Sequence, residues 1–270
     1  MLTYPNFDPI AIDLGVWNLP LIGTAHLAVR WYGLMYIVGF VGGWWFLRKR
    51  ARMLGWGWSD EQVSDLVFYV ALGVVLGGRT GYVLFYNFAA FLADPLLLLR
   101  VWEGGMSFHG GLLGVIIAML WYGRQIGRGF FELMDLIAPV VPIGLGAGRV
   151  GNFINGELWG KATDVPWGFY VEGAVRHPTQ LYELALEGVV LFSVLMWYGR
   201  KPRPTMAVSG LFGLLYGSFR CFVELWRMPD AHIGYLYDGW LTMGMLLSLP
   251  LAGVGAALLW FAHRSKRATA

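Results

Sequence analysis

Residues 31–47, WYGLMYIVGFVGGWWFL, form a run of seventeen uncharged and mostly apolar residues. A helix rises about 1.5 Å per residue, so this run approaches the ~20 residues that cross the hydrocarbon core of a bilayer. The basic residues Arg48, Lys49 and Arg50 follow directly, as is common at the cytoplasmic end of a membrane helix. The segment therefore predicts a membrane helix.

The composition of the whole chain agrees with this prediction. Of its 270 residues, 57% are hydrophobic and 14% are charged, whereas soluble domains average about 45–50% and about 25%. The net charge is +3, and the basic residues stand between apolar runs rather than in one basic patch. This distribution does not indicate a nucleic-acid partner. A single cysteine, Cys221, excludes an intramolecular disulfide.

We expect an all-α integral membrane protein with a single transmembrane domain over residues 1–270, about seven spans and a short extracytoplasmic arm or loop region. Pro139 and Pro142 are expected to kink the fourth span. The spans are predicted at residues 31–47, 66–86, 108–122, 133–148, 181–198, 206–226 and 240–262.

The distribution of basic residues predicts the orientation. Twelve of the twenty Lys and Arg residues follow the first, third, fifth and seventh predicted spans. With seven spans these segments share one side of the membrane, and the positive-inside rule makes that side cytoplasmic. We therefore expect an extracytoplasmic N-terminus and a cytoplasmic C-terminus.

Charged residues within the spans are the candidates for function, because a central Arg or Asp costs about 2.5–3.5 kcal/mol on insertion scales. Pairing between helices and snorkelling to the interface are the alternative explanations for each of them. Glu183 and Glu187, at positions i and i+4, are candidates for pairing with arginines. The candidates are Arg79, Asp135, Arg149, Glu183, Glu187, Arg220 and Glu224.

The sixth span carries a polar stripe. Tyr216, Arg220, Glu224 and Arg227 are spaced by four, four and three residues, which places them on one helical face. Such a face must contact protein or a wet cavity. Glu224 is suited to orient an arginine through a charge-assisted hydrogen bond, although a purely architectural Arg–Glu pair explains the same spacing.

The segment 144–160, GLGAGRVGNFINGELWG, combines small residues with a polar cluster. Its glycines and alanine permit close helix packing. Packing alone does not explain the four polar residues at the outer end of this helix, which are Arg149, Asn152, Asn155 and Glu157. This concentration favours a functional site.

His109 lies in the segment 104–111, GGMSFHGG, at the predicted start of the third span. A neutral imidazole there is able to accept a proton, but a histidine at a helix start is more often only a hydrogen-bonded polar residue. The sequence contains no G-x-S-x-G, H-E-x-x-H or G-x-x-x-x-G-K-[ST] motif. Energy coupling by ATP and acyl-serine chemistry are therefore disfavoured.

At these motifs the chain resembles the prolipoprotein diacylglyceryl transferases of the bacterial inner membrane. The resemblance covers nearly the whole chain in the family's order. The matching runs are WYGLMY (31–36), LGGRTGYVLFYN (76–87), GGMSFHGG (104–111), GLGAGRVGNFINGELWG (144–160), RHPTQLYE (176–183) and YGSFRCFVELWR (216–227).

The resemblance implies a reaction and its partners. The substrates are phosphatidylglycerol and a prolipoprotein whose signal peptide carries a lipobox cysteine. The products are a diacylglyceryl thioether and glycerol-1-phosphate, formed in the lipid bilayer without a metal or cofactor. The sixteen residues between Gly160 and His177 are fewer than in some relatives, so contacts of this arm with the acceptor peptide do not carry over.

The resemblance also implies site residues and their roles. Arg149 and Arg220 are expected to bind the lipid phosphate, with Glu224 orienting Arg220. His109 is the candidate base, and the field of the arginines is the alternative source of thiolate. Tyr32 is expected to assist catalysis, and Asn152, Glu157 and Gly160 to bind substrate, whereas Arg79 lies in a matching run without an assigned role.

Two other classes of protein remain open. A transporter or channel for an anionic solute or lipid would also use intramembrane arginines. It would move its substrate without covalent change. A scaffold that only packs against other membrane proteins would leave the polar cluster unexplained.

Overall fold

The computed structural model describes residues 2–19, 23–101, 104–229 and 234–268. Helices dominate these residues. They are α1 (Trp31–Leu54), α2 (Asp60–Tyr86), α3 (Phe88–Ala93), α4 (Phe108–Ile126), α5 (Phe130–Ile137), α6 (Val141–Ile154), α7 (Thr179–Glu183), α8 (Leu191–Tyr198), α9 (Ala207–Glu224) and α10 (Met243–Ala268). A 3-10 turn covers Pro95–Leu99, and a π-helical segment, Leu184–Val190, joins α7 to α8.

A helix lies at each of the seven predicted spans, and the structure supports a helical membrane protein. By length and apolarity, three described helical stretches are able to cross a membrane: Asp60–Tyr86, Thr179–Tyr198 and Met243–Arg264. The pair α5 and α6 counts as a fourth if it forms one broken span. The count of seven spans remains a prediction.

The bend between α5 and α6 is 52°. It falls where the prolines at 139 and 142 were expected to kink the fourth span, and Pro142 lies in the first turn of α6. A proline lacks the N–H that continues a helix and is tolerated in a first turn. The predicted kink is confirmed.

Two small sheets accompany the helices, which the all-α expectation did not include. The strands are β1 (Leu2–Thr3), β2 (Ile10–Leu19), β3 (Gly23–Arg30), β4 (Phe169–Val171) and β5 (Ala174–Arg176). β2 and β3 pair antiparallel, and β4 pairs with both β1 and β5 in the order β1-β4-β5. The second sheet orders the short arm between Gly160 and His177.

The chain divides into two compact units. The larger unit combines Met1–Trp45 with Ile137–Ala270, and the smaller unit is Phe46–Leu136. The smaller unit is built on α2 and α4, which meet through glycines. A Cβ added at Gly77 would lie 2.3 Å from the carbonyl oxygen of Gly110, so a larger residue there would force the helices apart. Ser59 and Gln62 cap the start of α2 reciprocally.

The larger unit contains α6, the continuous stretch from α7 to α8, α9 and α10. α6 approaches the π-helical segment at Gly146 and Gly188, where a Cβ on Gly188 would lie 3.0 Å from the Cα of Gly146. A Cβ on Gly255 of α10 would meet the backbone of α9 at 2.2 Å, from the nitrogen of Leu214. These close approaches bring the polar residues of α6, α7 and α9 together.

Candidate active site

Six charged residues of the larger unit form a buried ion cluster. It consists of Arg149, Arg220, Arg227, Glu183, Glu187 and Glu224. Glu183 and Glu187 have no solvent-exposed surface, and Glu224 is also buried. Because isolated charges are costly in such surroundings, the three arginines and the three carboxylates must compensate one another.

Glu183 lies at the centre of the ion cluster. Its Oε2 is 3.0 Å from the Nε of Arg149 in an ion pair. Its Oε1 accepts hydrogen bonds from the Nη1 atoms of Arg220, at 3.0 Å, and Arg227, at 2.9 Å. One carboxylate from α7 therefore holds an arginine from α6, one from α9 and one from the segment directly after α9.

Glu224 holds Arg220 from a second side. The Nη1 of Arg220 lies 2.5 Å from the Oε2 of Glu224, an i,i+4 pair along α9. The hydroxyl of Thr242 donates to the Oε1 of Glu224 at 2.9 Å. A Cβ on Gly244 would lie 2.6 Å from the same oxygen, so a glycine is needed there for close approach.

A chain of polar side chains continues from Arg149 toward the exposed end of α6. The Nη1 of Arg149 donates to the Oδ1 of Asn152 at 3.3 Å, and the Nδ2 of Asn152 donates to the Oε1 of Glu157 at 2.7 Å. Asn155 donates to the same oxygen at 3.4 Å. Asn152 is buried and Glu157 is exposed, so the chain runs from the ion cluster to the surface of the unit.

Tyr32, at the start of α1, lies beside this chain. A Cβ on Gly151 would be 2.8 Å from the Tyr32 ring, so the glycine lets the ring pack against α6. Tyr36 meets the ring edge-on at a centroid distance of 5.3 Å.

Gly160 is required by packing. Its N–H donates to the carbonyl of His177 at 2.8 Å, and it forms an isolated antiparallel bridge with Arg227. A Cβ at this position would lie 2.5 Å from the Trp226 oxygen and 2.7 Å from a methyl carbon of Thr179. The structure thus gives Gly160 a reason to be glycine that is independent of substrate.

Comparisons with known proteins point to one family. Residues 20–261 match the family model described as prolipoprotein diacylglyceryl transferase. Proteins named phosphatidylglycerol–prolipoprotein diacylglyceryl transferase from Ectopseudomonas mendocina and Azotobacter vinelandii are each 58% identical over 268 residues, covering 98% of this chain and 97% of theirs. The corresponding protein from Pseudomonas paraeruginosa is 55% identical over 267 residues.

The chain belongs to the prolipoprotein diacylglyceryl transferase family. The family resemblance inferred from the motifs is therefore confirmed. Of the residues carried over from that resemblance, the structure brings Arg149, Arg220 and Glu224 together in the ion cluster. Asn152 joins the cluster through Arg149 and Glu157 joins it through Asn152, while the Tyr32 ring packs beside them at Gly151.

The smaller unit of this transferase-family chain contains His109. It is the second residue of α4, and its side chain is exposed. Ser107 caps the helix by accepting from the Gly110 N–H at 3.2 Å. Phe108 meets the His109 ring edge-on at 5.6 Å. An exposed imidazole at a helix start is accessible to a substrate.

Arg79 has an anchoring position in the smaller unit. It is 3% exposed and donates to the carbonyl oxygens of Leu97, Leu98, Gly104 and Gly105. Leu97 and Leu98 lie in the 3-10 turn, and Gly104 and Gly105 lie just before α4. The guanidinium group thus links the 3-10 turn to the glycines before α4, which gives Arg79 a structural role.

The site roles implied by the family resemblance did not include Glu183, Glu187 or Arg227, although Glu183 and Glu187 were among the charged candidates. Two features of the sequence pointed to these residues, because charge is costly within a membrane span. Glu183 and Glu187 are spaced i,i+4 in an apolar span, and Arg227 continues the polar face of α9. In the part of the chain that the structure describes, no group of three or more His, Cys, Asp or Glu residues is arranged to hold a metal ion.

Proposed function

We propose that this chain transfers the diacylglyceryl group of phosphatidylglycerol to the thiol of a lipobox cysteine in a prolipoprotein. The reaction forms a thioether and releases glycerol-1-phosphate. Family membership supports the reaction. The observation that carries the assignment to a site is the meeting of Arg149 and Arg220 on one buried carboxylate, that of Glu183.

The two arginines match the charge changes of this reaction. The phosphodiester of phosphatidylglycerol carries one negative charge, and a second develops as the phosphate monoester departs. Guanidinium groups aimed at that phosphate stabilise the transition state more than the ground state, and more strongly in a site poor in water. Arg149 and Arg220 are each mostly buried but retain some accessible side-chain surface.

The neighbouring polar residues orient the lipid headgroup in this proposal. Asn152 and Glu157 lie between Arg149 and the surface of the larger unit and offer hydrogen-bonding groups to the glycerol hydroxyls. Tyr32 contributes a phenol at the same place. Gly160 permits the backbone contact with Trp226 at this edge of the site, and its backbone is proposed to contribute to substrate binding there.

The acceptor thiol must lose a proton, because a thiolate is the nucleophile and a free cysteine has a pKa near ~8.5. We assign this task to His109, whose imidazole is exposed at the start of α4. The arginines favour thiolate through their positive field. Attack of the thiolate on the glyceryl carbon forms the C–S bond as the C–O bond to phosphate breaks.

The proposed location is the bacterial inner membrane. Three described helical stretches, or four with the bent pair, are apolar and long enough to cross it. We propose seven spans, with the N-terminus outside and the C-terminus in the cytoplasm, from the positions of the basic residues. The ion cluster then serves the outer leaflet.

The reaction is tested with purified protein, phosphatidylglycerol and a lipobox peptide. We expect the peptide to gain the mass of one diacylglyceryl group, and a peptide whose cysteine is replaced by serine to gain none. An intact peptide in the presence of lipid would contradict the proposal. Movement of phosphatidylglycerol between leaflets of a vesicle without this mass gain would indicate a transporter instead.

A further inference from the structure

The ion cluster is electrically balanced before any substrate binds. Arg149, Arg220 and Arg227 face three carboxylates. If every group is ionised, their formal charges cancel. In the proposed function, the phosphodiester of the lipid enters this ion cluster. The cluster and the bound phosphate together would then carry one excess negative charge, which is unfavourable in a buried site.

Glu187 is the least compensated of the three carboxylates. Glu183 contacts three arginines, and Glu224 contacts Arg220 and accepts from Thr242. The Oε2 of Glu187 lies 3.6 Å from the Nη2 of Arg149, which is beyond a normal hydrogen bond. Neither oxygen of Glu187 accepts a hydrogen bond from the residues that the structure describes.

The side chain of Glu187 lies in buried surroundings with few compensating groups. Its side chain has no exposed surface. The charged and titratable groups that act on it are Arg149 from α6, Glu183 from α7, and Arg220 and Tyr216 from α9. The adjoining α8, LFSVLMWY, carries no charged residue. The arginines offset the cost of a charged carboxylate at this buried position as long as no further anion enters the cluster.

The backbone at Glu187 is unusual. Residues Leu184–Val190 are π-helical, and such segments are rare and frequently lie at functional sites. The segment is closely packed against α6, where a Cβ on Gly146 would lie 3.3 Å from the Cα of Gly188. Glu187 is therefore held in its buried position rather than free to turn to the surface.

We propose that Glu187 is a positioning residue that takes up one proton when the anionic lipid phosphate binds, leaving the ion cluster with one net positive charge. This inference rests on the proposed function and specifies the charge state of the same site. The proton comes from water and adds to a carboxylate oxygen of Glu187, without a redox change. Glu187 acts through Arg149 and does not touch the phosphate.

Proton uptake links lipid affinity to pH. The bound form holds one more proton than the free form, so affinity is greatest at low pH and falls as pH rises. The fall approaches about tenfold per pH unit once Glu187 is ionised in the free protein. Glu187→Gln places a neutral side chain of the same shape at this position. The variant is expected to bind phosphatidylglycerol at least as tightly as the wild type, without this pH dependence.

The experiment measures binding of phosphatidylglycerol to the full chain in phosphatidylcholine nanodiscs over a series of pH values. Wild type, Glu187→Gln and the control Glu172→Gln are compared. Glu172 is exposed at the turn between β4 and β5, so its variant removes a carboxylate away from the ion cluster. We expect the control to retain the wild-type slope and Glu187→Gln to lose it.

A slope that persists in folded Glu187→Gln, or a loss of binding in that folded variant, would overturn the inference. If the variant does not fold, infrared difference spectra of the wild type decide the question. A carboxylic acid signal that appears on adding phosphatidylglycerol supports the inference, and its absence overturns it. Mass gain by the lipobox peptide in the wild type is measured in parallel, because its failure would overturn the proposed function instead.

Discussion

Arg149 and Arg220 contact opposite oxygens of one carboxylate, that of Glu183, each at 3.0 Å. The two arginines come from α6 and α9, which are distant in sequence. Glu183 therefore fixes the separation of the two cations that we assign to the lipid phosphate. Without this shared partner, their mutual repulsion would favour other side-chain positions.

Glu183→Gln tests this organising role. The change removes the charge that three arginines share, and breaking a buried ion network typically costs about 3–5 kcal/mol. We expect a lower midpoint of thermal unfolding and a transfer rate reduced on the order of 10²-fold, since the arginines are no longer preorganised. Glu172→Gln is the control. Wild-type stability and rate in Glu183→Gln would contradict the role.

Arg79→Gln tests the anchoring of the segment before α4. The substitution leaves the carbonyls of Leu97, Leu98, Gly104 and Gly105 without their guanidinium donor, at about 1–3 kcal/mol for each one that remains buried. We expect faster amide hydrogen exchange in residues 95–101 and 104–107. Arg124→Gln, at an exposed position of α4, is the control. Unchanged exchange in Arg79→Gln would argue against an anchor.

Gly160→Ala tests whether packing alone requires glycine. The added Cβ would meet the Trp226 carbonyl at 2.5 Å, so the backbone must shift at a cost of about 1–3 kcal/mol. Gly253→Ala is the matched control, because a Cβ at Gly253 meets nothing within 4 Å and alanine favours a helix. We expect only Gly160→Ala to lower the unfolding midpoint. Equal midpoints would remove the packing explanation.

His177 gives a pH dependence to stability. Its ring nitrogen Nδ1 lies 3.0 Å from the Tyr182 hydroxyl, and burial lowers the pKa of His177, while the nearby charge of Asp164 opposes this shift. The unfolded chain therefore binds the proton more readily than the folded chain. The contribution is fully present above the unfolded pKa, near ~6.5, and is lost as pH falls through the folded pKa.

We expect the unfolding midpoint of the wild type to fall in mildly acidic buffer more steeply than that of His177→Gln. Thermal unfolding of both proteins over a pH series measures the difference. The same pH profile in both proteins would show that another group is responsible.

Much of the helical framework was predictable, because apolar runs and their basic ends report the helices directly. The polar face formed by Arg220, Glu224 and Arg227 followed from helical spacing, and the bend near Pro142 followed from the missing N–H. Each of these features is determined by residues that are close together in the sequence, so the sequence alone is enough to predict it.

The central position of Glu183 was not predictable to the same degree. Its i,i+4 relation to Glu187 indicated pairing with arginines, but spacing within one helix does not identify partners on α6 and α9. The π-helical segment carries no distinctive sequence pattern. Arg79 was a candidate because of its charge, whereas the backbone carbonyls that accept its hydrogen bonds lie in a short 3-10 turn and at the glycines before α4, which no apolar periodicity marks.

The central claim is that Arg149 and Arg220 act on one lipid phosphate, and a double-mutant cycle tests it most directly. The measured quantity is kcat/KM for phosphatidylglycerol, obtained from the mass gain of the peptide. It is compared among the wild type, Arg149→Ala, Arg220→Ala and the double variant. We predict a loss on the order of 10²–10³-fold for each single change, and a loss in the double variant well below the product of the two. Near-wild-type rates in the single variants, or losses that multiply fully, would contradict a shared phosphate.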